Sequence, residues 1–261
     1  MYLSKGSAIM SKIIAVTNQK GGVGKTTTAI NLSSCLAASG KKVLLVDIDP
    51  QGNASSGLGI KPGKKSVYEM ILSKSTAESV TFDTVQKGLR IIPADIRLSG
   101  AEIELATLDR REYRLRAALE SVKSQYDFII IDCPPSLSLL TINGLTAAQS
   151  VIVPIQCEYF ALEGLTALLN TITRIKHSFN PGLDTEGILL SMYDGRTNLC
   201  LQVANEVKKH FKGKVFSTTI PRNVRLGEAP SHGLPINIYD KRSSGAEAYF
   251  SLADELIKKN R

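Results

Sequence analysis

The segment Lys20-Gly-Gly-Val-Gly-Lys25 has a lysine at each end and three glycines between them, and three threonines follow it directly. Glycines adopt backbone angles that are closed to other residues, so the successive N–H groups of such a segment can converge on phosphate oxygens. Lys25 supplies a mobile positive charge for the β- and γ-phosphates, and the Thr26 hydroxyl can ligate a magnesium ion. The segment therefore predicts a phosphate-binding loop for a nucleotide. The residues predicted to form it are Lys20, Gly21, Gly22, Val23, Gly24, Lys25, Thr26 and Thr27.

Two aspartates close an apolar run further along the chain. Asp47 and Asp49 follow Val43–Val46, and because they are two residues apart, strand alternation points both side chains to one side. The segment Asp49-Pro-Gln-Gly52, taken alone, favours a plain turn, and only the phosphate-binding loop before it favours a functional role for its aspartate.

A third aspartate, Asp132, closes the apolar run Phe128–Ile131. This is the arrangement of a Walker B motif, which predicts that Asp132 holds magnesium through water near Thr26. Pro134 and Pro135 exclude a helix directly after it, so a loop that senses the γ-phosphate is expected there.

Glu158 stands where a predicted strand passes into a predicted helix. Its carboxylate suits a contact with the nucleotide ribose or a dimer interface, and it equally suits a plain carboxylate at a helix N-terminus. The sequence leaves these roles open.

Apolar runs of strand length alternate with amphipathic stretches throughout the chain. The predicted strands are Ile13–Val16, Val43–Val46, Leu89–Ile92, Phe128–Ile131, Val151–Ile155 and Ile188–Leu190. Strands that are apolar on both faces indicate an α/β fold, a mostly parallel, twisted sheet with helices on both faces. Together with the phosphate-binding loop, this is the fold expected of a P-loop NTPase. Ligands bind such sheets at the carboxyl ends of the strands, where the polar motifs above fall.

Helical spacing of apolar residues marks the segments between these strands. Helices are predicted over Val67–Leu72, Ser99–Leu108 and Arg110–Lys123, and a final helix over residues 246–257. The final helix has an apolar stripe with acidic neighbours, which indicates that it packs on the fold.

The 261 residues are not divided by a Pro- or Ser-rich linker, so we expect a single domain over residues 12–261 after a loose tail over residues 1–11. The four cysteines lie far apart and form no C-x-x-C pair, which favours reduced thiols in a cytosol. No run approaches the ~18 apolar residues of a membrane span, so a cytoplasmic protein without a transmembrane segment is expected.

Positive charge is concentrated toward the end of the chain. The formal net charge is +8, and residues 196–261 hold 12 of the 32 basic but only 6 of the 24 acidic side chains. Such asymmetry suggests a surface that faces a polyanion, although an ordinary solvated basic surface has the same composition.

The segment Lys20–Thr27 resembles the deviant Walker A motif of the ParA/MinD group of P-loop ATPases, with Gln19 where the general P-loop pattern has glycine. The resemblance implies ATP hydrolysis with ATP and Mg²⁺ as cofactors, in an ATP-dependent sandwich homodimer where Lys20 reaches across to the other subunit. The segment after the second predicted strand is similar to the group's Walker A′ motif, which implies that Asp49 orients the attacking water and Asp47 supports the magnesium shell. A free aspartate, with a pKa near ~3.9, is a weak base, so orientation of the water is expected rather than its full deprotonation. The catalytic residues that the resemblance implies are Lys20, Lys25 and Asp49.

The last third of the chain resembles the chromosomal ParA (Soj) branch, in residues 191–198, 220–233 and 239–247. The resemblance implies that Pro221 and Asn223 border the adenine. It also implies that Arg196 and Arg225 contact DNA once the dimer has formed. Arginines on one edge pair phosphates without reading bases. Further candidates for this basic surface are Lys208, Lys209, Lys212, Lys214, Arg222, Lys241 and Arg242.

The function that this resemblance implies is DNA partitioning, of a chromosome or a plasmid. The ATP-bound homodimer would bind double-stranded DNA non-specifically and associate with the nucleoid, and a ParB-like centromere-binding protein would stimulate hydrolysis and release.

Two other functions are compared with this one. A MinD-like membrane switch needs a basic amphipathic tail beyond the fold, whereas the final helix has the pattern of a packed one. An iron–sulfur reductase related to the nitrogenase iron protein needs paired cysteines at the dimer seam, and Cys133 has no second cysteine in that spacing.

Overall fold

The structure, a computed structural model, describes residues 11–260, so all of the tail predicted over residues 1–11 except Ser11 lies outside the described residues. The strands are β1 Lys12–Val16, β2 Val43–Asp47, β3 Phe82–Asp83, β4 Leu89–Ile92, β5 Phe128–Asp132, β6 Ser150–Gln156 and β7 Asp184–Ser191. The helices are α1 Lys25–Ala38, α2 Asn53–Gly57, α3 Val67–Ile71, α4 Leu98–Ala106, α5 Arg114–Leu119, α6 Leu139–Ala147, α7 Ala161–Ser178, α8 Asn198–His210, α9 Val224–Glu228, α10 Ile236–Tyr239 and α11 Ser244–Lys259. None of the helices within these residues is long and apolar enough to cross a membrane.

All six predicted strands are present, and within residues 11–260 they join β3 in a seven-stranded sheet of order β3-β4-β2-β5-β1-β6-β7. Neighbouring strands are parallel except for β3 and β4, which are antiparallel. From β1 the chain crosses to β2, which lies on one side of β1 in the sheet. Later it crosses from β5 to β6, which lies on the opposite side of β1. The carboxyl end of β1 is therefore a switch point of the strand order, where such sheets bind ligands.

Successive residues of the central strands face opposite sides of the sheet. Ile13 and Ala15 belong to one apolar core, which includes residues of α3 to α8. Ile14 and Val16 belong to a second core, which includes residues of α1, α2 and α9 to α11. Helices cover both faces, so the strands are apolar at nearly every position, and the predicted α/β architecture is confirmed.

The final helix, α11, packs on the fold as predicted and is longer than residues 246–257. Ser243 caps its start, because the Ser243 side chain accepts a hydrogen bond from the backbone N–H of Ala246. Tyr249, Leu252 and Leu256 are buried in the core beside α1.

The helix predicted over Arg110–Lys123 is wrong in extent. Only α5 is α-helical there, and single 3-10 turns over Arg111–Tyr113 and Lys123–Gln125 flank it. Arg110 has a φ of 49°, a left-handed conformation that cannot belong to a right-handed helix. The two-residue edge strand β3 was not predicted, because two residues show no periodicity.

Candidate nucleotide-binding site

The loop between β1 and α1 turns at glycines in the left-handed region. Gly22 has a φ of 74° and Gly24 has a φ of 87°, angles that strain any residue with a side chain. Gly24 is also the N-cap of α1, so the first-turn N–H groups and the positive end of this helix border the loop. This geometry suits the predicted phosphate-binding role of the loop.

Lys25 lies within the loop rather than in solvent. It is 7% exposed, and its Nζ donates to the Lys20 carbonyl oxygen at 3.1 Å. Burial lowers the pKa of Lys25 from its ordinary value, and the Asp132 and Asp49 carboxylates partly offset that effect. A phosphate on the loop would meet this cation directly and form charge-assisted hydrogen bonds with it.

Lys20 lies at the rim of the loop. Its side chain is 53% exposed and forms an ion pair with Glu158, which stands between β6 and α7 and is itself half-exposed. An ion pair this exposed contributes little to stability, so both side chains can exchange it for other partners. The structure thus brings two predicted site residues, Lys20 and Glu158, together at the rim of the loop.

The three aspartates lie at the carboxyl ends of adjacent strands. Asp132 ends β5 and is in register with Asp47 of β2 on one side and with Val16 of β1 on the other. Asp47 and Asp132 are fully buried, and Asp49, just beyond β2, is 7% exposed. Burial raises the pKa of Asp47 to about 6. The pKa of Asp132 is raised well above its ordinary value, mainly by burial and secondly by the negative charge of the Asp47 carboxylate.

The surroundings of Asp132 fit a divalent cation. Among residues 11–260, neither Asp132 carboxylate oxygen has a hydrogen-bond partner of normal geometry, although the Thr26 side chain is close enough to lower the Asp132 pKa. A buried carboxylate without partners is costly, and a hard cation with oxygen ligands removes that cost. Thr26 and Asp132 therefore fit the predicted magnesium site. Asp47, the third predicted metal residue, differs because it accepts hydrogen bonds from Asp49 and Ser55.

A cavity of about 320 Å³ opens beside the loop. Gly24 and Thr27 form one wall, and Pro221 and Asn223, in the segment before α9, form another. The volume lies at the lower end of the range for small-molecule pockets and suits a nucleotide base. The two residues predicted to border the adenine therefore lie next to the phosphate loop.

Two buried polar residues that hold the loop in place were not predicted. The Asn18 side chain accepts from the Lys20 N–H at 3.0 Å and donates to the Pro154 carbonyl oxygen at 2.8 Å, which ties the loop to β6. The Ser191 hydroxyl lies 2.7 Å from the Val23 carbonyl oxygen, which ties the loop to β7. Both ties join residues far apart in the sequence, so no local pattern indicates them.

The two arginines predicted to contact DNA are exposed, and each is paired with an acidic neighbour. Arg196 donates to both carboxylate oxygens of Asp194. Arg225 pairs with Glu228 at 2.8 Å and with Asp240 at 3.6 Å. Phosphate binding at either arginine would have to compete with these carboxylates.

The other basic candidates fall into two groups. The first group is close to Arg225: Arg222 lies three residues before it in the chain, and two further basic residues directly follow Asp240, the carboxylate that pairs with Arg225. These two are Lys241 and Arg242. Two of the remaining candidates, Lys208 and Lys209, lie in the last turn of α8, about 20 Å from its start near Arg196. The other two, Lys212 and Lys214, follow α8 in the chain, and the Lys214 carbonyl oxygen accepts a hydrogen bond from the Ile188 N–H of β7.

A parallel sheet, a glycine-rich loop with two lysines before a helix, and acidic strand ends on β2 and β5 define a P-loop ATPase of the deviant Walker A type. An AAA domain family model matches residues 11–185. The sporulation initiation inhibitor protein Soj of Bacillus subtilis (strain 168) is 59% identical over 249 residues, which cover 95% of this chain and 98% of that protein. The chromosome partitioning protein ParA of Myxococcus xanthus (strain DK1622) is 52% identical over 258 residues, 98% of this chain and 91% of its own length. The chain belongs to the Soj/ParA family of P-loop ATPases.

A solved structure agrees with this fold. Cobyrinic acid a,c-diamide synthase from Mycobacterium smegmatis, with bound ADP and magnesium, matches with a TM-score of 0.84 at 40% identity, and the match covers 97% of each chain.

Proposed function

We propose that this ATPase is a DNA-partitioning switch. ATP and Mg²⁺ are its cofactors, and ATP closes two copies into a sandwich dimer that binds double-stranded DNA without sequence preference, at the nucleoid. A ParB-like centromere-binding partner then stimulates hydrolysis and release. The names of the Soj and ParA relatives support the partitioning role, and the arrangement of this chain's own residues supports the steps.

The observation that carries the proposal is the different placement of the two lysines. Lys25 lies buried in the loop and occupies the position from which a lysine serves its own nucleotide. Lys20 lies at the rim, with a side chain that is 53% exposed and paired only with the exposed Glu158 within the described chain. A charge in that position is available to the nucleotide of a second copy, which is the task of a lysine that acts across a dimer.

A short path of contacts supports a link between nucleotide and DNA. Asn223 borders the base cavity, and its side chain accepts the Arg225 N–H at 2.8 Å as the N-cap of α9. The side-chain amide of Asn223 also donates to the Ser244 hydroxyl at the start of α11. A base in the cavity would therefore contact the residue that orients the helix carrying Arg225.

The alternatives receive less support. A membrane switch would use a free amphipathic helix, and α11 buries its apolar residues beside α1 instead. An iron–sulfur function would need accessible cysteines, and Cys133 is 1% exposed.

The decisive test uses Asp49→Ala with ATP, Mg²⁺ and duplex DNA. The variant should bind ATP yet hydrolyse it at least about a hundredfold more slowly, because it loses the group that aims the water but keeps the phosphate loop. Light scattering should then find an ATP-bound dimer that persists and retains DNA, whereas wild type releases it.

The exposed Asp109 offers a matched control, and Asp109→Ala should behave as wild type. Wild-type turnover in Asp49→Ala would return Asp49 to the role of a turn residue. A wild-type protein that stays monomeric with ATP would contradict the sandwich dimer.

A further inference from the structure

The Asp47 carboxylate is engaged by donors from its own chain. Asp47 Oδ2 accepts from the Ser55 N–H at 2.9 Å and from the Ser55 hydroxyl at 2.7 Å, and Oδ1 accepts from the Asp49 N–H at 3.1 Å. Asp47 is fully buried, so these contacts take place without competition from bulk water. Hydrogen bonds to a buried ionised group are among the strongest that a fold can form.

Asp132, its neighbour in register on β5, is in the opposite situation. Both carboxylates are fully buried, yet within residues 11–260 the Asp132 oxygens lack hydrogen-bond partners of normal geometry. A water of a magnesium shell needs an acceptor oxygen that is free, and Asp132 offers two such oxygens. Asp47 instead has three of its roughly four acceptor sites filled by Ser55 and Asp49.

Ser55 is itself held in one orientation. It lies in α2, is 1% exposed, and its hydroxyl oxygen accepts from the Ala94 N–H at 2.9 Å. Because the oxygen accepts from Ala94, the single hydroxyl proton is directed to Asp47. Ser55 therefore joins the end of β2 to the segment that follows β4, and it fixes the Asp47 carboxylate between them.

The Asp49 N–H that Asp47 accepts belongs to the residue proposed to aim the water. Asp49 Oδ1 accepts from the Gln51 N–H at 3.0 Å, which orients the side chain. The turn from Asp47 to Gln51 thus contains two consecutive carboxylate-to-backbone bonds, and Ser55 binds the other oxygen of the carboxylate that forms the first of them.

We infer that Asp47 and Ser55 are positioning residues for the hydrolysis step: Ser55 fixes the Asp47 carboxylate, Asp47 fixes the Asp49 backbone, and Asp47 is not part of the magnesium shell. The inference rests on the proposed role of Asp49 as the group that orients the attacking water. It replaces the metal role predicted for Asp47 and assigns a role to Ser55, which the sequence motifs do not single out.

The first test separates metal binding from positioning by titrating Mg²⁺ at fixed ATP and following ATP binding by calorimetry. Asp132→Asn should raise the half-saturating Mg²⁺ concentration about tenfold or more. Asp47→Asn should leave it within about twofold while lowering kcat, because asparagine keeps the shape but has only one acceptor oxygen. The inference is overturned if Asp47→Asn shifts the Mg²⁺ titration as far as Asp132→Asn does.

The second test follows Ser55 through kinetics. Ser55→Ala should lower kcat about tenfold or more with the KM for ATP and the Mg²⁺ titration unchanged, and Ser55→Thr, which keeps the hydroxyl, should recover most of the rate. Ser56 on the same helix is exposed, so Ser56→Ala is a matched control that should keep the wild-type rate. A wild-type kcat in Ser55→Ala, or an equal loss in Ser55→Thr, would contradict the positioning role.

A double-mutant cycle separates this inference from the proposal beneath it. If Ser55 acts through Asp49, then Ser55→Ala should cause no further loss of rate in an Asp49→Ala background. Additive losses would show that Ser55 acts elsewhere and would overturn the inference while leaving the role of Asp49 intact. Full turnover by Asp49→Ala alone would overturn both. Equal ATP affinity of all variants confirms that each is folded.

Discussion

Asp132 places an ionisable group in the interior of the nucleotide-free protein at a cost to stability. Its raised pKa means that the folded protein holds the proton more tightly than the unfolded chain does. The contribution of this group to the free energy of unfolding is therefore complete below its ordinary pKa of 3.8 and is lost as the pH rises through the folded-state pKa. Asp47 has the same sign, over a window from 3.8 to about 6.

We therefore predict that Asp132→Asn melts at a higher temperature than wild type at neutral pH without nucleotide. Relief of a buried, unpartnered charge should add about 1–3 kcal/mol, and each kcal/mol corresponds to about 2–4 °C for a chain of this size. The difference should shrink as the pH falls, because the wild-type carboxyl becomes protonated. Scanning calorimetry from about pH 4.5 to 8 measures both trends.

Adding Mg²⁺ and ATP should reverse the order, because only the wild-type carboxylate gains the cation. A variant that is less stable than wild type at neutral pH without nucleotide would show that Asp132 has internal partners.

Lys20 is predicted to act on a different nucleotide from the one bound by its own loop. Lys20→Ala should bind ATP as a monomer within a few-fold of the wild-type affinity, since Lys25 and the loop N–H groups remain. Dimer formation or turnover should fall, because the charge at the rim is gone. Light scattering and ATPase assays measure these effects, with Lys61→Ala, an exposed loop lysine, as the control. An intact ATP-dependent dimer with full turnover would exclude action across the interface.

At the scale of secondary-structure elements, the burial of a segment decided whether its hydrophobic pattern predicted the element correctly. Val43–Val46 is apolar at each position because both faces of β2 are covered, so the strand was found with nearly correct bounds. Arg110–Lys123 has apolar residues at helical spacing, yet Arg110 has a left-handed backbone conformation. Arginine has no preference for this conformation, so the residue type does not indicate it. Packing of the surrounding chain overrides the local pattern there.

The same distinction applies to the site. The lysines and aspartates could be proposed as site residues from the sequence because each lies in a short motif whose chemistry is local. Asn18, Ser55 and Ser191 were missed because the partners that give each its role include residues distant in the sequence. A buried serine or asparagine has no sequence signature until its partner is known.

Gly187 of β7 offers a test of how tightly the Phe216 side chain packs against the sheet. A Cβ at this position would lie 2.4 Å from the Phe216 ring, closer than any van der Waals contact. Gly187→Ala should lower the free energy of unfolding by about 1–3 kcal/mol through overpacking, measured by urea denaturation.

Gly100 of α4 is the matched control. Within the described residues a Cβ there meets nothing within 4 Å. Gly100→Ala should therefore be neutral or stabilising, by up to about 1 kcal/mol, from its gain in helix propensity. Equal stability of Gly187→Ala and wild type would mean that the Phe216 ring moves aside freely.

At the scale of the whole molecule, the fold separates charges that the sequence groups together. Residues 196–261 carry the excess of basic side chains, but two of the lysines, Lys208 and Lys209, lie at the end of α8 remote from Arg196. The predicted DNA surface is therefore smaller than the composition suggests. Arg196 and Arg225 also each have a carboxylate partner, so the charge of these two arginines is largely compensated within one copy.

A weak half-surface explains why DNA binding should need ATP. If the proposed dimer joins two half-surfaces into one, it would double the phosphate contacts and raise the affinity through effective concentration, so a monomer could fall below detection. Arg225→Ala, alone or with Arg196→Ala, should weaken binding equally for unrelated duplexes while ATP binding survives. It should also flatten the dependence of log affinity on log salt by roughly one unit per lost phosphate contact.

Lys209→Ala, at the far end of α8, is the control and should keep the wild-type salt slope. An unchanged slope in Arg225→Ala, or equal binding of duplex DNA by the wild-type protein without nucleotide, would transfer support from a DNA switch to a membrane or protein-only switch.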